Sequence, residues 1–106
     1  MTVNGIHFDE AQLQEFCRQN GIIRMSLFGS ILGDSFGPDS DIDLLVEFDP
    51  TRRVSLFDVG GMTADLRELF GRDVDLRTAE DLSIYFRDDV IREAKPLVLA
   101  TEAVLM

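Results

Sequence analysis

The sequence predicts a single α+β domain, a mixed α/β arrangement in which a small sheet carries helices mainly on one face. At 106 residues the chain has the length of one domain. Segments with helical spacing of apolar residues and short β-rich runs follow one another as helix, strand, turn, strand, helix, strand and short helices. We expect the first two strands to pair as neighbours and the third to be reached through a crossover helix.

The composition limits the classes of protein to which the chain can belong. Hydrophobic residues make up 45% of the chain, and no apolar run approaches the ~18 residues of a membrane span. The N-terminus lacks the basic and apolar regions of a secretory signal, and Cys17 is the only cysteine. These features predict a cytoplasmic protein without disulfides or a membrane segment, with 1–106 as one domain and 100–106 as a flexible tail or an apolar contact segment.

The formal net charge is −10. Nucleic-acid backbones favour basic surfaces, so direct nucleic-acid binding is not expected. Two interpretations of the charge remain open. It confers solubility alone, or it favours a basic partner protein and bound cations.

The first half of the chain predicts a helix followed by a strand. Asp9 and Gln12 have the spacing of a capping box, and Gly21 is placed to end a helix over 10–20. Cys17 falls on the apolar side of this helix, which favours a core residue over a nucleophile. Residues 22–28 alternate as a strand.

The second half contains two strands and further helices. The predicted elements are a strand over 41–48, a helix opened by Ser55 and closed by Gly71, a strand over 73–76, a short helical segment from Thr78, a last helix through Ala94 stopped by Pro96, and an edge strand at 97–99.

The stretch between the first two strands has the clearest chemical signal. Gly29 and Ser30 form a turn whose backbone N–H groups can hold a phosphate. Asp41 and Asp43 then open an apolar strand, and alternation turns both carboxylates to one side, with Cα atoms roughly 6.6 Å apart. A phosphate turn beside two carboxylates predicts metal-assisted chemistry on a nucleotide.

A third carboxylate, Asp75, lies on the later strand, on the face opposite its apolar residues. Three like charges pointing one way need cations, and two Mg²⁺ ions bridging substrate phosphates would satisfy them. The alternative is that such aspartates face solvent, and we favour it for Asp34, Asp39 and Asp73. An EF-hand is excluded because Leu44 and Pro50 replace its glycine and glutamate, and a P-loop lacks its Gly-Lys-Ser/Thr.

The Gly29-Ser30 pair, ten intervening residues, and then Asp41-Ile42-Asp43 resemble the signature of the minimal nucleotidyltransferases of the DNA polymerase β superfamily. The later run Arg72-Asp-Val-Asp75-Leu76 is similar to the family's third-carboxylate strand. The resemblance extends over about residues 10–99 and implies a nucleotidyltransferase fold. Many small members are antitoxins encoded beside a HEPN-domain ribonuclease toxin, and some transfer AMP to a tyrosine of that toxin.

The resemblance also implies roles for individual residues. Gly29 and Ser30 would hold the triphosphate of ATP, Asp41 and Asp43 would bind both Mg²⁺ ions, and Asp75 would be the third ligand and candidate base. The expected arginine of the loop is replaced by Gly33, with Asp34 following. Arg52 and Arg53, the nearest later cations, are candidates to replace it.

Three functions follow as hypotheses. The first is a Mg²⁺-dependent adenylyltransferase that acts as an antitoxin on a HEPN-type toxin. The second is a catalytically weak or inactive antitoxin that neutralises its partner by binding alone. The third, transfer to a small molecule, needs a further substrate domain for which 106 residues leave no room. The first two predict a hetero-oligomer with the partner, with a homodimer as the alternative for the chain alone.

Overall fold

The computed structural model describes residues 1–99 and has the predicted α+β architecture. Its elements are β1 (Thr2–Val3), β2 (Ile6–His7), α1 (Glu10–Asn20), β3 (Ile22–Phe28), a 3₁₀ turn (Gly29–Leu32), β4 (Ile42–Phe48), α2 (Leu56–Phe70), β5 (Val74–Arg77), a second 3₁₀ turn (Ala79–Asp81), α3 (Arg87–Glu93) and β6 (Lys95–Leu99). The segment 100–106, predicted to be a tail, lies outside the described residues.

A four-stranded mixed sheet in the order β5-β4-β3-β6 forms the centre of the fold. β3 pairs antiparallel with β4 and with β6, and β4 pairs parallel with β5. Parallel neighbours need a crossover connection, and α2 supplies it between β4 and β5. The predicted pairing of the first two strands and the predicted crossover are both confirmed.

The helix ends follow local sequence chemistry. The Asp9 side chain accepts a hydrogen bond from Gln12 N at the start of α1, and Gly21 ends that helix in the left-handed conformation. Ser55 and Asp58 form a reciprocal capping box at the start of α2, and Gly71 ends it in the same conformation as Gly21. The predicted boundaries of both long helices are confirmed.

Three details differ from the sequence prediction. Asp41 lies just before β4 because the first ladder hydrogen bond is donated by Ile42 N, to Asp73 O at 2.9 Å. Pro96 is not the stop of α3: the helix ends at Glu93 and Pro96 lies within edge strand β6, where the missing N–H of proline is tolerated. The hairpin of β1 and β2, turned at Asn4 and Gly5, was not predicted.

The core lies between one face of the sheet and helices α1 and α2. Its buried side chains include Leu13, Cys17, Met25, Leu27, Ile42, Leu44, Val46, Met62 and Leu66. Burial raises the pKa of the Cys17 thiol to about 12, which confirms its interpretation as a core residue. The opposite face of the sheet carries the alternate residues of β4 and β5, including Asp43, Leu45 and Asp75, and is called here the carboxylate face.

Among residues 1–99, no helix has the length and apolar character that crossing a bilayer requires.

Candidate active site

The Gly29 turn begins where β3 ends. Gly29 has φ +76°, a left-handed conformation that side chains with a Cβ adopt at a cost, and it opens the 3₁₀ turn. Ile31, only 1% exposed, anchors the turn in the core. Gly33 N donates to Ser30 O at 3.0 Å and closes it. The chain reversal predicted at Gly29 and Ser30 is present.

The carboxylate of Asp43 lies directly over this turn. Phe28 and Asp43 are register partners in the β3–β4 ladder, so the turn starts beside Asp43. A Cβ added to Gly29 would overlap Oδ2 of Asp43. Only glycine therefore leaves room for the carboxylate here, and Gly29 forms a close cradle around it.

Asp75 stands beside Asp43 on the neighbouring parallel strand. The two residues are register partners, so both side chains leave the sheet on the carboxylate face, while Ile42 and Val74 enter the core. Oδ2 of Asp75 accepts a hydrogen bond from Nε of Arg77 at 3.1 Å. Strand pairing thus brings together two of the three predicted carboxylates.

The electrostatics of Asp43 reflect this crowding. Burial raises its pKa, the negative charges of Asp75 and then Asp41 raise it further, and the positive charge of Arg77 opposes them. All three predicted aspartates therefore interact electrostatically around Asp43. The charges of Asp75 and Asp41 therefore disfavour the ionised form of the Asp43 carboxylate.

The loop before Asp41 is held by Arg72. Its guanidinium donates to the carbonyl oxygen of Ser40 at 2.8 Å and to that of Gly37, and it lies 4.4 Å from the ring centroid of Phe36. Contacts of this kind fix a loop that has no regular secondary structure. Arg72 therefore positions the backbone that leads into Asp41.

The 3₁₀ turn is held by a residue distant in sequence, Asn4. Its side-chain amide donates to the carbonyl oxygens of Ile31 at 3.0 Å and Gly33 at 2.9 Å. Sequence reasoning missed this residue. The signal that could have found it is Asn4-Gly5, a dipeptide that favours a tight hairpin and brings the N-terminus back onto the domain.

The cations around the site also differ from expectation. Arg52 packs its side chain over Gly21, and Asp49 N donates to Gly21 O at 2.8 Å, so the loop of Arg52 lies at the opposite end of β3 from Gly29. This placement overturns the suggestion that Arg52 replaces the loop arginine. The cation beside the carboxylates is Arg77, which strand alternation places on the same face as Asp75, two residues earlier.

The donor set fits a hard divalent cation. Carboxylate oxygens are the ligands that Mg²⁺ takes in proteins, and the Gly29 cradle keeps Asp43 close to the 3₁₀ turn. Within residues 1–99, however, no three acidic, histidine or cysteine side chains converge tightly enough to complete a cation site by themselves. Mg²⁺ commonly completes its coordination shell with water and substrate phosphate.

A groove of about 740 Å³ lies along the part of β4 that follows Asp43 and begins at Leu45, two residues further on. Its apolar lining includes Leu45, Phe48, Ile91, Ala94 and Leu99. The groove therefore gives the carboxylates an adjoining surface on which a substrate can lie.

The chain is similar to a protein-family model, to a relative in sequence and to solved structures. The model of the nucleotidyltransferase domain family matches residues 10–98. The chain is 34% identical over 76 residues to MJ0435 of Methanocaldococcus jannaschii, a candidate protein adenylyltransferase, covering 72% of this chain and 80% of that protein.

Solved structures share the fold. A candidate minimal nucleotidyltransferase is 33% identical, with a TM-score of 0.65 over 85% of this chain and 97% of the other. A toxin–antitoxin crystal structure with AMP-PNP is 21% identical, with a TM-score of 0.68 over 93% and 86% of the two chains. A complex of tri-AMPylated HEPN toxin and MNT antitoxin from Shewanella oneidensis is 22% identical, with a TM-score of 0.61 over 90% and 73%.

Proposed function

This chain belongs to the nucleotidyltransferase domain family, and from that membership we propose that it transfers AMP from ATP to a hydroxyl group of a partner protein. The partner is a HEPN-type toxin, the acceptor is a tyrosine, and the modification silences the toxin. The protein thus acts as the antitoxin of the pair, in a hetero-oligomer with its partner in the cytoplasm, where ATP is available.

One observation carries the proposal: Asp43 and Asp75 are paired on neighbouring strands, and the Gly29 turn closes over Asp43. The turn offers backbone N–H groups to phosphate, and the carboxylates offer oxygens to divalent cations. Together they support a phosphate site beside a cation site, as phosphoryl-group transfer requires.

The reaction assigns a task to each residue. Gly29 and Ser30 would hold the triphosphate, and Asp41, Asp43 and Asp75 would hold two Mg²⁺ ions. Those ions would supply neutralisation of the phosphate charge when bound. The acceptor oxygen forms a bond to the α-phosphorus, the bond from that phosphorus to the bridging oxygen of the β-phosphate breaks, and pyrophosphate leaves. Asp75 accepts the proton of the acceptor hydroxyl.

The similarity to toxin–antitoxin structures supports the choice of partner. The surface of the chain supports it too, since large apolar side chains protrude at two places. Leu56 and Phe57 are 89% and 92% exposed at the start of α2, and Ile84, Tyr85 and Phe86 protrude before α3. Exposed apolar clusters of this kind are typical of protein-binding surfaces.

Incubation of the purified protein with labelled ATP, Mg²⁺ and the HEPN-type protein encoded beside it tests the proposal. We expect label on a tyrosine of that protein and a loss of labelling by about a hundredfold or more in Asp43→Asn. Even residues that only support metal ligands contribute about 10–100-fold, so a direct ligand contributes at least as much. Asp73→Asn is the matched control, since Asp73 is an exposed aspartate paired with Arg67.

A second candidate function is neutralisation by binding alone. It is favoured by Gly33 at the place of the expected arginine. Under this alternative, Asp41→Asn and Asp43→Asn neutralise the toxin fully and no label is transferred by the unmodified protein. That pair of results would reject adenylyl transfer.

A further inference from the structure

Arg77 is the cation of the carboxylate face that sequence reasoning did not consider. It is the last residue of β5 and the register partner of Leu45. Its Nε lies 3.1 Å from Oδ2 of Asp75, and its charge also acts on Asp43. The guanidinium therefore lies among the carboxylates rather than at the rim of the domain.

Three other arginines have contacts elsewhere. Arg72 donates to loop carbonyls, Arg24 pairs with Glu47 further along β4, and Arg52 packs over Gly21. Glu47 is four residues beyond Asp43, or about 13 Å along an extended strand. The charge of Arg77 acts on Asp43, so a phosphate near that carboxylate would lie near its guanidinium.

The pairing of Arg77 with Asp75 is easily exchanged. The side chains are 46% and 38% exposed, so water competes with the ion pair and the arginine is free to change rotamer. A divalent cation on Asp75 would compete for the same oxygens that the guanidinium contacts. Once displaced, the guanidinium needs another anion, and its planar set of donors suits phosphate oxygens.

We propose that Arg77 binds the phosphates of ATP, leaving Asp75 when the nucleotide and its cations enter the site. Arg77 then has two successive partners. In the free protein it neutralises part of the carboxylate charge, and in the nucleotide complex it neutralises part of the triphosphate charge. The assignment rests on the proposed function, because it assumes that ATP binds at the Gly29 turn.

Calorimetric titration with AMP-PNP in saturating Mg²⁺ tests this assignment. We expect Arg77→Gln to weaken AMP-PNP binding by roughly tenfold to a hundredfold, the range of a hydrogen bond to a charged group, and Arg77→Lys to recover part of that loss. The matched control is Arg67→Gln, which removes an exposed arginine paired with Asp73, the residue just before β5. It should leave AMP-PNP binding within about twofold of the unmodified protein.

Titration with Mg²⁺ alone separates phosphate binding from simple neutralisation of Asp75. The loss of Arg77 frees Asp75, so Mg²⁺ should bind Arg77→Gln at least as tightly as it binds the unmodified protein. If Arg77 only neutralised Asp75, AMP-PNP would also bind Arg77→Gln equally well or more tightly, and that result would overturn the proposal. Thermal melting verifies that each variant is folded.

The failure of this assignment is distinguishable from the failure of the proposed function. Equal AMP-PNP binding by Arg77→Gln, with intact AMP transfer by the unmodified protein, rejects Arg77 alone. Weakened AMP-PNP binding by Arg77→Gln, with no transfer to any partner, supports Arg77 and rejects the transferase. An unmodified protein that does not bind AMP-PNP with Mg²⁺ rejects both.

Discussion

The two ends of β3 use the same backbone device for different purposes. Gly21 precedes the strand and Gly29 follows it, with φ +69° and +76°. An added Cβ would lie 2.6 Å from Cδ of Arg52 at the first end and would overlap Oδ2 of Asp43 at the second. Arg52 is a long exposed side chain that can rotate away, whereas Asp43 is held by the ladder of β4. The comparison teaches that a left-handed glycine ends a helix at one end and makes room for the Asp43 carboxylate at the other.

The sharpest test of this comparison substitutes alanine at each end. Gly29→Ala displaces the Asp43 carboxylate and should lower AMP transfer by about a hundredfold, since a shift of ~1 Å at a reacting group has that effect. Gly21→Ala carries a similar backbone cost of about 1–2 kcal/mol in the free energy of unfolding but leaves transfer unchanged. Transfer assays and urea unfolding measure the two effects, and equal losses of transfer would remove the distinction between the ends.

The loop before Asp41 provides the next largest effect. Arg72→Gln removes the two charge-assisted contacts to loop carbonyls and the contact with Phe36. We expect a loss of about 2–3 kcal/mol in the free energy of unfolding, together with weaker transfer because Asp41 is no longer positioned. Arg92→Gln, which breaks an exposed ion pair with Asp89 on α3, should cost less than ~0.5 kcal/mol. Similar unfolding curves for the two variants would contradict the role of Arg72.

The N-terminal hairpin should contribute a smaller effect at the same end. Asn4→Gly tolerates the positive φ of this position but removes the donors to Ile31 and Gly33, so the free energy of unfolding should fall by about 1–2 kcal/mol. Asn4→Asp keeps the shape and places an acceptor against two carbonyl oxygens, so it should be worse than Asn4→Gly. If Asn4→Asp is the more stable variant in urea unfolding, the amide does not hold the turn.

The smallest functional effect is expected in α2, beside the Gly21 end. Nothing lies within 4 Å of a Cβ added at Gly60, and its φ is not positive. Gly60→Ala should therefore raise the free energy of unfolding by up to about 1 kcal/mol through helix propensity, with no change in transfer. Thermal unfolding and the transfer assay measure this directly. A loss of transfer would mean that this end of the domain also participates in the site.

Local chemistry made much of the fold predictable. Caps at Asp9, Ser55, Gly21 and Gly71 mark the two long helices because each satisfies backbone groups within a few residues. Alternation in β4 likewise separates core residues from the carboxylates without any knowledge of partner strands. Each of these signals lies within a few consecutive residues, so the sequence alone reveals it.

Contacts between residues far apart in the sequence were not predicted, because no contiguous stretch of sequence contains their signal. Asn4 reaches carbonyl oxygens near residue 31, and Arg77 reaches Asp75 only because β5 turns both to one face. The position of Arg52 depends on the direction of β4. Because β4 starts beside the Gly29 turn and runs antiparallel to β3, the loop that follows β4 and contains Arg52 lies at the Gly21 end. The roles of Asp41, Asp43, Asp75, Gly29 and Ser30 stay predictions, although strand pairing brings Asp43 and Asp75 side by side.

The parallel pairing of Asp43 with Asp75 has a consequence for folding during synthesis. β3 and β4 are neighbours in sequence and can pair early, but β5 joins them only after α2 has been made and packed. Parallel pairing across a crossover closes a long loop and forms late relative to a hairpin. A nascent chain that ends within α2 would therefore contain the Gly29 turn, Asp41 and Asp43 but would lack Asp75. Under the proposed function, nucleotide chemistry would begin only after β5 has left the ribosome and paired with β4.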